Sequence, residues 1–296
     1  MKQTPRHSLL LAATALAATA ALAQEAPRPH VLVTNDDGIE APGLAALVDA
    51  LRPVFRITVC APPDEQSAVG HGITYRTPVR VEERTTVEGV RRYAVHAQPP
   101  TCVRIWRSAL TRSEPPVMVL SGINRGDNAG RSTWVSGTVS GAREAALFGI
   151  PGVGFSAVRP RGGEPDFAAA GRWALQVLET LRAAGWPRPG ELIKVDIPHP
   201  AATARGVLVT RVGLQPALEE RYEERPGPHG ERLFVSVYRD PDHDAPGTDV
   251  QALADGFVAV TPLSLDQTDY RRIPDLNAVA WPTAVKAAAA TEAPPR

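Results

Sequence analysis

Two carboxylates stand side by side in VLVTNDDGIEAPG, residues 31–43, just after a short apolar run. Like charges repel, so Asp36 beside Asp37 costs electrostatic energy unless a cation lies between or beside them. Three further stretches gather polar oxygens and small residues. APPDEQSAVGHGIT (61–74) carries Asp64, Ser67 and His71; LSGINRGDNAG (120–130) carries Ser121, Asn124 and Asn128; VSGTVSGA (135–142) runs straight into a helical pattern. Each has a plain structural explanation by itself: an Asx-capped turn for NDDG, a loop that spares Cβ atoms for SGIN, a structural hydrogen bond for His71. Together they describe something more specific. Carboxylates with hydroxyl and amide oxygens make a hard, all-oxygen site suited to Mg²⁺ or Mn²⁺, and the cation offsets the repulsion of the acidic pair. The backbone N–H groups of Gly137 and Thr138 at a helix start, with the Ser136 and Thr138 hydroxyls, form a local anion site. A metal beside a phosphate cradle points to phosphoryl chemistry.

The elements that must position these residues follow from periodicity. HVLVT (30–34) is a buried strand, PGLAALVDALR (42–52) a helix opened by Pro, and RITVCAP (56–62) the next strand. Strand, helix and strand in about thirty residues form a βαβ unit, which implies a parallel sheet. VEERTTVEGVRRYAVHA predicts an antiparallel insertion turning near Gly89, TCVRIWRSAL a helix, VMVLSGIN a strand, GTVSGAREAALFG a helix and GVGFSAV a strand. A long helix begins at Asp166 as N-cap, and LIKVDIP is a further core strand. GVLVTRVGL and RLFVSVYR, separated by RPGPHG, are expected to pair as a projecting β-hairpin arm, either a dimerisation element or an ordinary surface hairpin. In such α/β sheets ligands bind beyond the carboxyl ends of the strands, where all four polar stretches fall.

Composition bounds the function. The 296 residues carry 32 basic and 32 acidic side chains, so no broad footprint for a nucleic-acid polymer or a membrane surface exists, and phosphate recognition must be local. Lys2 and Arg6 precede an apolar Ala/Leu stretch ending in ALA (21–23). This is the form of a signal peptide over residues 1–23, with Gln24 as the first mature residue; the stretch is short for a membrane anchor. A periplasmic or secreted protein with no membrane contact after cleavage is expected. The Ala- and Pro-rich end, residues 286–296, is expected to be disordered. Cys60 and Cys102 form no metal-binding spacing and read as two free buried thiols, with a disulfide as the alternative.

The motifs, kept in order over residues 30 to 270, resemble those of the SurE family of metal-dependent nucleotide phosphatases: ILVTNDDG, APxxxxSxxGHxIT, VSGxNxGxNxG and SGTVSGAxEgAlxGIP. TDVQALADGFVAVTPL (248–263) is similar to the family's C-terminal part. The resemblance implies a three-layer, Rossmann-like α/β fold over a SurE-like domain at 29–285, with a β-hairpin arm serving a homodimer or homotetramer. It implies one divalent metal per subunit, held by Asp36, Asp37, Ser67 and Asn124, and hydrolysis of nucleoside 5′- or 3′-monophosphates to nucleoside and phosphate. Asp36 or Asp37 would assist the attacking water; Asn128, Ser136, Gly137, Thr138 and His71 would hold the substrate.

The chain departs from the family where a GTPADCV-like segment is replaced by AQPPTCV (97–103): a Gly and an acid are lost, and Thr101 cannot do a carboxylate's work. An export signal is also unusual in a family whose members are typically cytoplasmic. Three rival functions remain. A receiver domain needs a phosphoacceptor Asp where this chain has Asn124, and a haloacid-dehalogenase-type phosphatase needs acids at i and i+2. An exported, non-catalytic phosphate- or nucleotide-binding protein is opposed by the complete metal set. If Gly137 serves the phosphate alone, Gly137→Val should remove substrate binding and spare the metal.

Overall fold

The computed structural model describes residues 28–110, 115–214, 221–237 and 244–281. The expected signal peptide and the C-terminal tail lie outside them. The expected α/β fold is present as a nine-stranded sheet with helices on both faces. In chain order its elements are β1 (His30–Thr34), α1 (Pro42–Leu51), β2 (Arg56–Ala61), β3 (Val81–Val87), β4 (Val90–Val95), α2 (Pro99–Ile105), β5 (Met118–Arg125), α3 (Ser132–Val135), α4 (Gly137–Leu147), β6 (Gly152–Ala157), α5 (Phe167–Ala183), β7 (Leu192–Ile197), β8 (Val207–Val209), β9 (Arg221–Pro226), β10 (Arg232–Val237), α6 (Asp249–Ala254), β11 (Val258–Leu263) and α7 (Ile273–Asn277).

Strand order is β3-β4-β2-β1-β5-β6-β7-β11-β8. From β1 the chain builds outward through β2 and β4, then returns to add β5, β6 and β7 on the other side, all parallel. The order therefore reverses between β1 and β5, and a crevice opens there beyond their carboxyl ends. Alternation along β1 divides the core into layers. Val31 and Val33 pack with Leu44 and Leu47 of α1 and Ala170 and Val177 of α5. Leu32 faces the other way, to Cys102 and Val103 of α2, Trp106, and Ala145 of α4. A period of two puts successive side chains on opposite faces, so a strand covered on both sides must be apolar throughout.

Helix α4 lies close to the sheet because its inner face is nearly bare. A Cβ on Gly141 would come within 3.0 Å of both Ser121 Oγ and Thr34 Cγ2. Ser136 caps the helix by accepting from the Val139 N–H (2.9 Å), and Asp166 caps α5 through Ala169 (2.9 Å) as its sequence predicts.

Three expectations are adjusted. The segment around Gly89 is a hairpin whose tight turn has positive φ at Glu88 and Gly89, but β4 also joins β2, so the hairpin extends the main sheet. The helix read from Thr101 begins at Pro99, and its last residues, Trp106–Leu110, take a wider π turn. The arm is built differently from its sequence reading: RLFVSVYR supplies β10, but its partner is β9, and GVLVTRVGL supplies β8, an edge strand of the main sheet beside β11. RYEERP has no apolar alternation to mark it as a strand. Its ribbon is mostly exposed on both faces and is fastened by charge, with Arg232 forked onto Glu224 at 2.7 and 2.8 Å. Cys60 and Cys102 are free and buried, the Cys60 thiol donating to the Cys102 carbonyl (3.3 Å); burial pushes both thiols well above their ordinary range.

A buried ion cluster ties the far side of the crevice together. Lys194 on β7 reaches Asp196 on the same face of its strand and Asp249 at the start of α6 (2.7 Å). Burial disfavours the ammonium, but the two carboxylates outweigh it and hold Lys194 above its ordinary value. The carboxylates also accept backbone donors: Asp196 from Asn128 (2.7 Å), Asp249 from Gly130 (3.0 Å), Gly213 (2.8 Å) and Val250 (2.9 Å). The loop after β5 thus hangs on charges buried beneath it. Removing one member of a buried ion cluster costs about 3–5 kcal/mol, because its partners remain charged and dry. Lys194→Met is expected to lose stability on that scale in urea unfolding, whereas Arg232→Met on the exposed arm should leave the unfolding midpoint close to that of wild type.

Candidate active site

Asp36 and Asp37 leave the carboxyl end of β1 at the switch point. Asp36 is 3% exposed, and its carboxylate lies against the start of α4, 102 residues along the chain. Thr138 Oγ1 donates to Asp36 Oδ1. Gly137 makes the approach possible: a Cβ there would sit 2.6 Å from Asp36 Oδ2 and 2.7 Å from Asp36 Cβ. Burial raises the Asp36 carboxyl to about 7, the Asp37 charge adds to the rise, and hydrogen bonds from Thr138 oppose it. Asp37 is half-buried and accepts from the Arg125 N–H (3.0 Å). Its carboxyl is also raised, chiefly by burial, with Glu65 and Glu164 adding negative charge and Arg125 opposing.

The other sequence candidates fall into two groups. Asn124 stands at the end of β5 beside this pair, its amide donating to Gly126 O (2.8 Å). Ser67 lies on the loop after β2, which is anchored to the site by the Gln66 N–H donating to Asp36 O (2.6 Å); the exposed Ser67 hydroxyl donates to Glu65 (2.7 Å). Among the described residues no group of three or more His, Cys, Asp or Glu is arranged for a metal. A cation here would rest on two carboxylates with a hydroxyl and an amide. That donor set suits a hard divalent ion, and two carboxylates both pushed upward form a pocket that tolerates negative charge poorly without one.

Several of the residues read as substrate donors also make contacts within the protein. Ser136 caps α4, Thr138 holds Asp36, and the Asn128 amide donates to Ser156 Oγ (2.7 Å). His71 is farther away. Its Nε2 pairs with Glu144 (2.6 Å), a buried carboxylate that also accepts from Arg104 (2.5 Å). Glu144 lies seven residues past Gly137, about 10 Å along the helix. His71 therefore fastens the loop carrying Ser67 to the body of α4. The AQPPTCV departure has a similar outcome: buried Thr101 accepts from the Thr74 N–H (2.9 Å), a task any oxygen can perform.

Sequence reasoning missed Glu144, Lys194, Asp196 and Asp249. A signal existed for two of them: a Lys and an Asp two apart on one face of the otherwise apolar LIKVDIP announce a buried ion pair.

A doubly wound α/β sheet with an acidic, oxygen-rich crevice at its switch point defines a nucleotide- or phosphate-handling class of protein. The family model described as "Survival protein SurE" matches residues 31–218, and the chain belongs to the SurE family. It is 39% identical over 243 residues to a protein of Desulfatibacillum aliphaticivorans named 5′-nucleotidase SurE, covering 81% of this chain and 94% of the relative. It is 40% identical over 241 residues to 5′-nucleotidase SurE 1 of Thermus thermophilus, covering 81% and 93%. Among solved structures, the SurE protein from Aquifex aeolicus superposes with a TM-score of 0.73 at 32% identity, over 84% of this chain and 98% of that one.

The geometry revises one expectation. Any side chain at Gly137 meets Asp36 before it meets a substrate, so Gly137→Val should lose Mn²⁺ binding together with nucleotide binding; calorimetric titration with each ligand would detect it, and loss of nucleotide alone would contradict the contact. The raised Asp36 carboxyl also has a pH consequence. Its folded value, about 7, exceeds its ordinary 3.8, so the folded state binds the proton more tightly than the unfolded chain. Without a cation, stability is therefore lost as pH rises from about 4 to about 7, by at most about 4 kcal/mol. Cation-free Asp36→Asn is expected to melt higher than wild type at about pH 8 and level with it at about pH 4, by thermal denaturation in EDTA.

Proposed function

We propose that this chain is a divalent-metal-dependent 5′-nucleotidase, a phosphomonoesterase that releases nucleoside and phosphate from nucleoside monophosphates. The observation that carries it is the paired Asp36–Asp37 at the switch point, in a chain whose relatives are named 5′-nucleotidase SurE. Mg²⁺ or Mn²⁺, one per subunit, is proposed to be held by Asp36, Asp37, Ser67 and Asn124. Polarisation of a phosphoryl oxygen would come from the bound cation. The chain's own residues divide the remaining work. Asp36 is fixed by Thr138 and serves as a rigid ligand. Asp37, half-open to the crevice, is the better placed of the two to take a proton from an attacking water. Ser67 would join the ligands from a loop anchored at Gln66 and His71.

Export of the mature chain from Gln24 is proposed from the apolar stretch and the ALA sequence; no helix among the described residues is long and apolar enough to cross a membrane. A homodimer or homotetramer built through the β9–β10 arm is supported by Tyr222, Leu233, Phe234 and Val235, all exposed on that ribbon.

Phosphate release from nucleoside 5′- and 3′-monophosphates, with and without EDTA, tests the activity. Wild type should be active only with the divalent ion present. Asp36→Asn should fall more than about 100-fold while keeping its circular dichroism spectrum. Nucleotide binding without phosphate release would favour the non-catalytic alternative.

A further inference from the structure

We propose that the Trp134 indole is the platform on which the substrate's base stacks, an assignment that rests on the nucleotidase reading above. Trp134 belongs to α3, the short turn that leads directly into Ser136 and Gly137. Three Cα–Cα steps separate it from Gly137, so its backbone lies within about 11 Å of the residue packed on Asp36. In a mononucleotide the base stands one sugar away from the phosphorus, which makes the rim next to α4 the place to expect it.

The indole is 51% exposed although its neighbour Thr133 is buried at 3%. Four other exposed rings carry a guanidinium: Arg76 on Tyr75 at 5.3 Å, Arg107 on Phe148 at 4.3 Å, Arg188 on Trp186 at 4.8 Å and Arg232 on Phe234 at 5.2 Å. Among the described residues no ring or cation stacks on Trp134. The strand-end loop beside it contributes Gly70, which donates to Val135 O (2.9 Å) and adds no side chain next to the indole. An exposed aromatic face whose backbone runs into the start of α4 offers a base a stacking surface, since every base has a π face.

The test compares adenosine 5′-monophosphate with ribose 5-phosphate, which shares its sugar and phosphoryl group and lacks only the base. Wild type should favour the nucleotide in kcat/KM. Trp134→Leu, which keeps apolar bulk without a π face, should reduce that preference about tenfold, mainly through KM for the nucleotide. Trp134→Phe should retain most of it. An unchanged preference in Trp134→Leu, with phosphate still released from the nucleotide, overturns the platform and leaves the nucleotidase intact. An unchanged preference with an altered mass by light scattering would make the indole an interface residue and likewise overturn it. No phosphate release from the nucleotide by wild type with Mn²⁺ would overturn both.

Discussion

The structure turns on one contact: the Asp36 carboxylate pressed against the first turn of α4. It requires a residue without a side chain at Gly137, a hydroxyl donor at Thr138, and a helix start aimed at the end of β1. A helix N-terminus favours negative charge, and here it holds a protein carboxylate as well as facing the crevice. Burial still dominates, since Asp36 remains well above its ordinary value. The site therefore holds charge at a cost that a cation would relieve. Strain of this electrostatic kind is common where a protein must bind an ion and exchange a substrate.

The rest of the molecule can be understood as bracing for that contact. Close packing of α4, permitted by Gly141, sets the height of its N-terminus above the sheet. The Lys194–Asp196–Asp249 cluster fixes the loop after β5 from beneath, holding the backbone of Asn128 and Gly130. Glu144, held by His71 and Arg104, fixes the loop after β2 from the side. The last two braces each use buried charge satisfied by more than one donor, which gives a loop a single position more effectively than apolar contact does. Thr101, where the related motif carries an acid, gives its hydroxyl oxygen to the Thr74 N–H.

Much of this was legible in the residues themselves. The period-two and helical patterns predicted β1, α1, β2, β5, α4, β6, α5 and β7 in order, and the Gly/Ser/Thr run predicted a helix start at Gly137. The charged strand β9 was not legible, because an exposed ribbon has no face to bury and so no alternation to read. His71 illustrates a different limit. Its type suited a substrate ligand, and nothing local reveals a carboxylate 73 residues away.

What the sequence alone determined was the inventory and its order: oxygen ligands at strand ends, glycines and hydroxyls at a helix start, apolar strands that must be covered on both faces. These properties are encoded locally, in side-chain chemistry and in periods of two or 3.6 residues. Tertiary structure decided which polar groups meet. Asp36 finds Thr138 and Gly137, Lys194 finds Asp249, the Thr138 hydroxyl and the Asn128 amide donate within the protein, and the Ser136 hydroxyl accepts from the helix it caps. Such pairings join single residues far apart in the chain and leave no periodic trace. They become visible only once the sheet order and the height of α4 have set the distances between them.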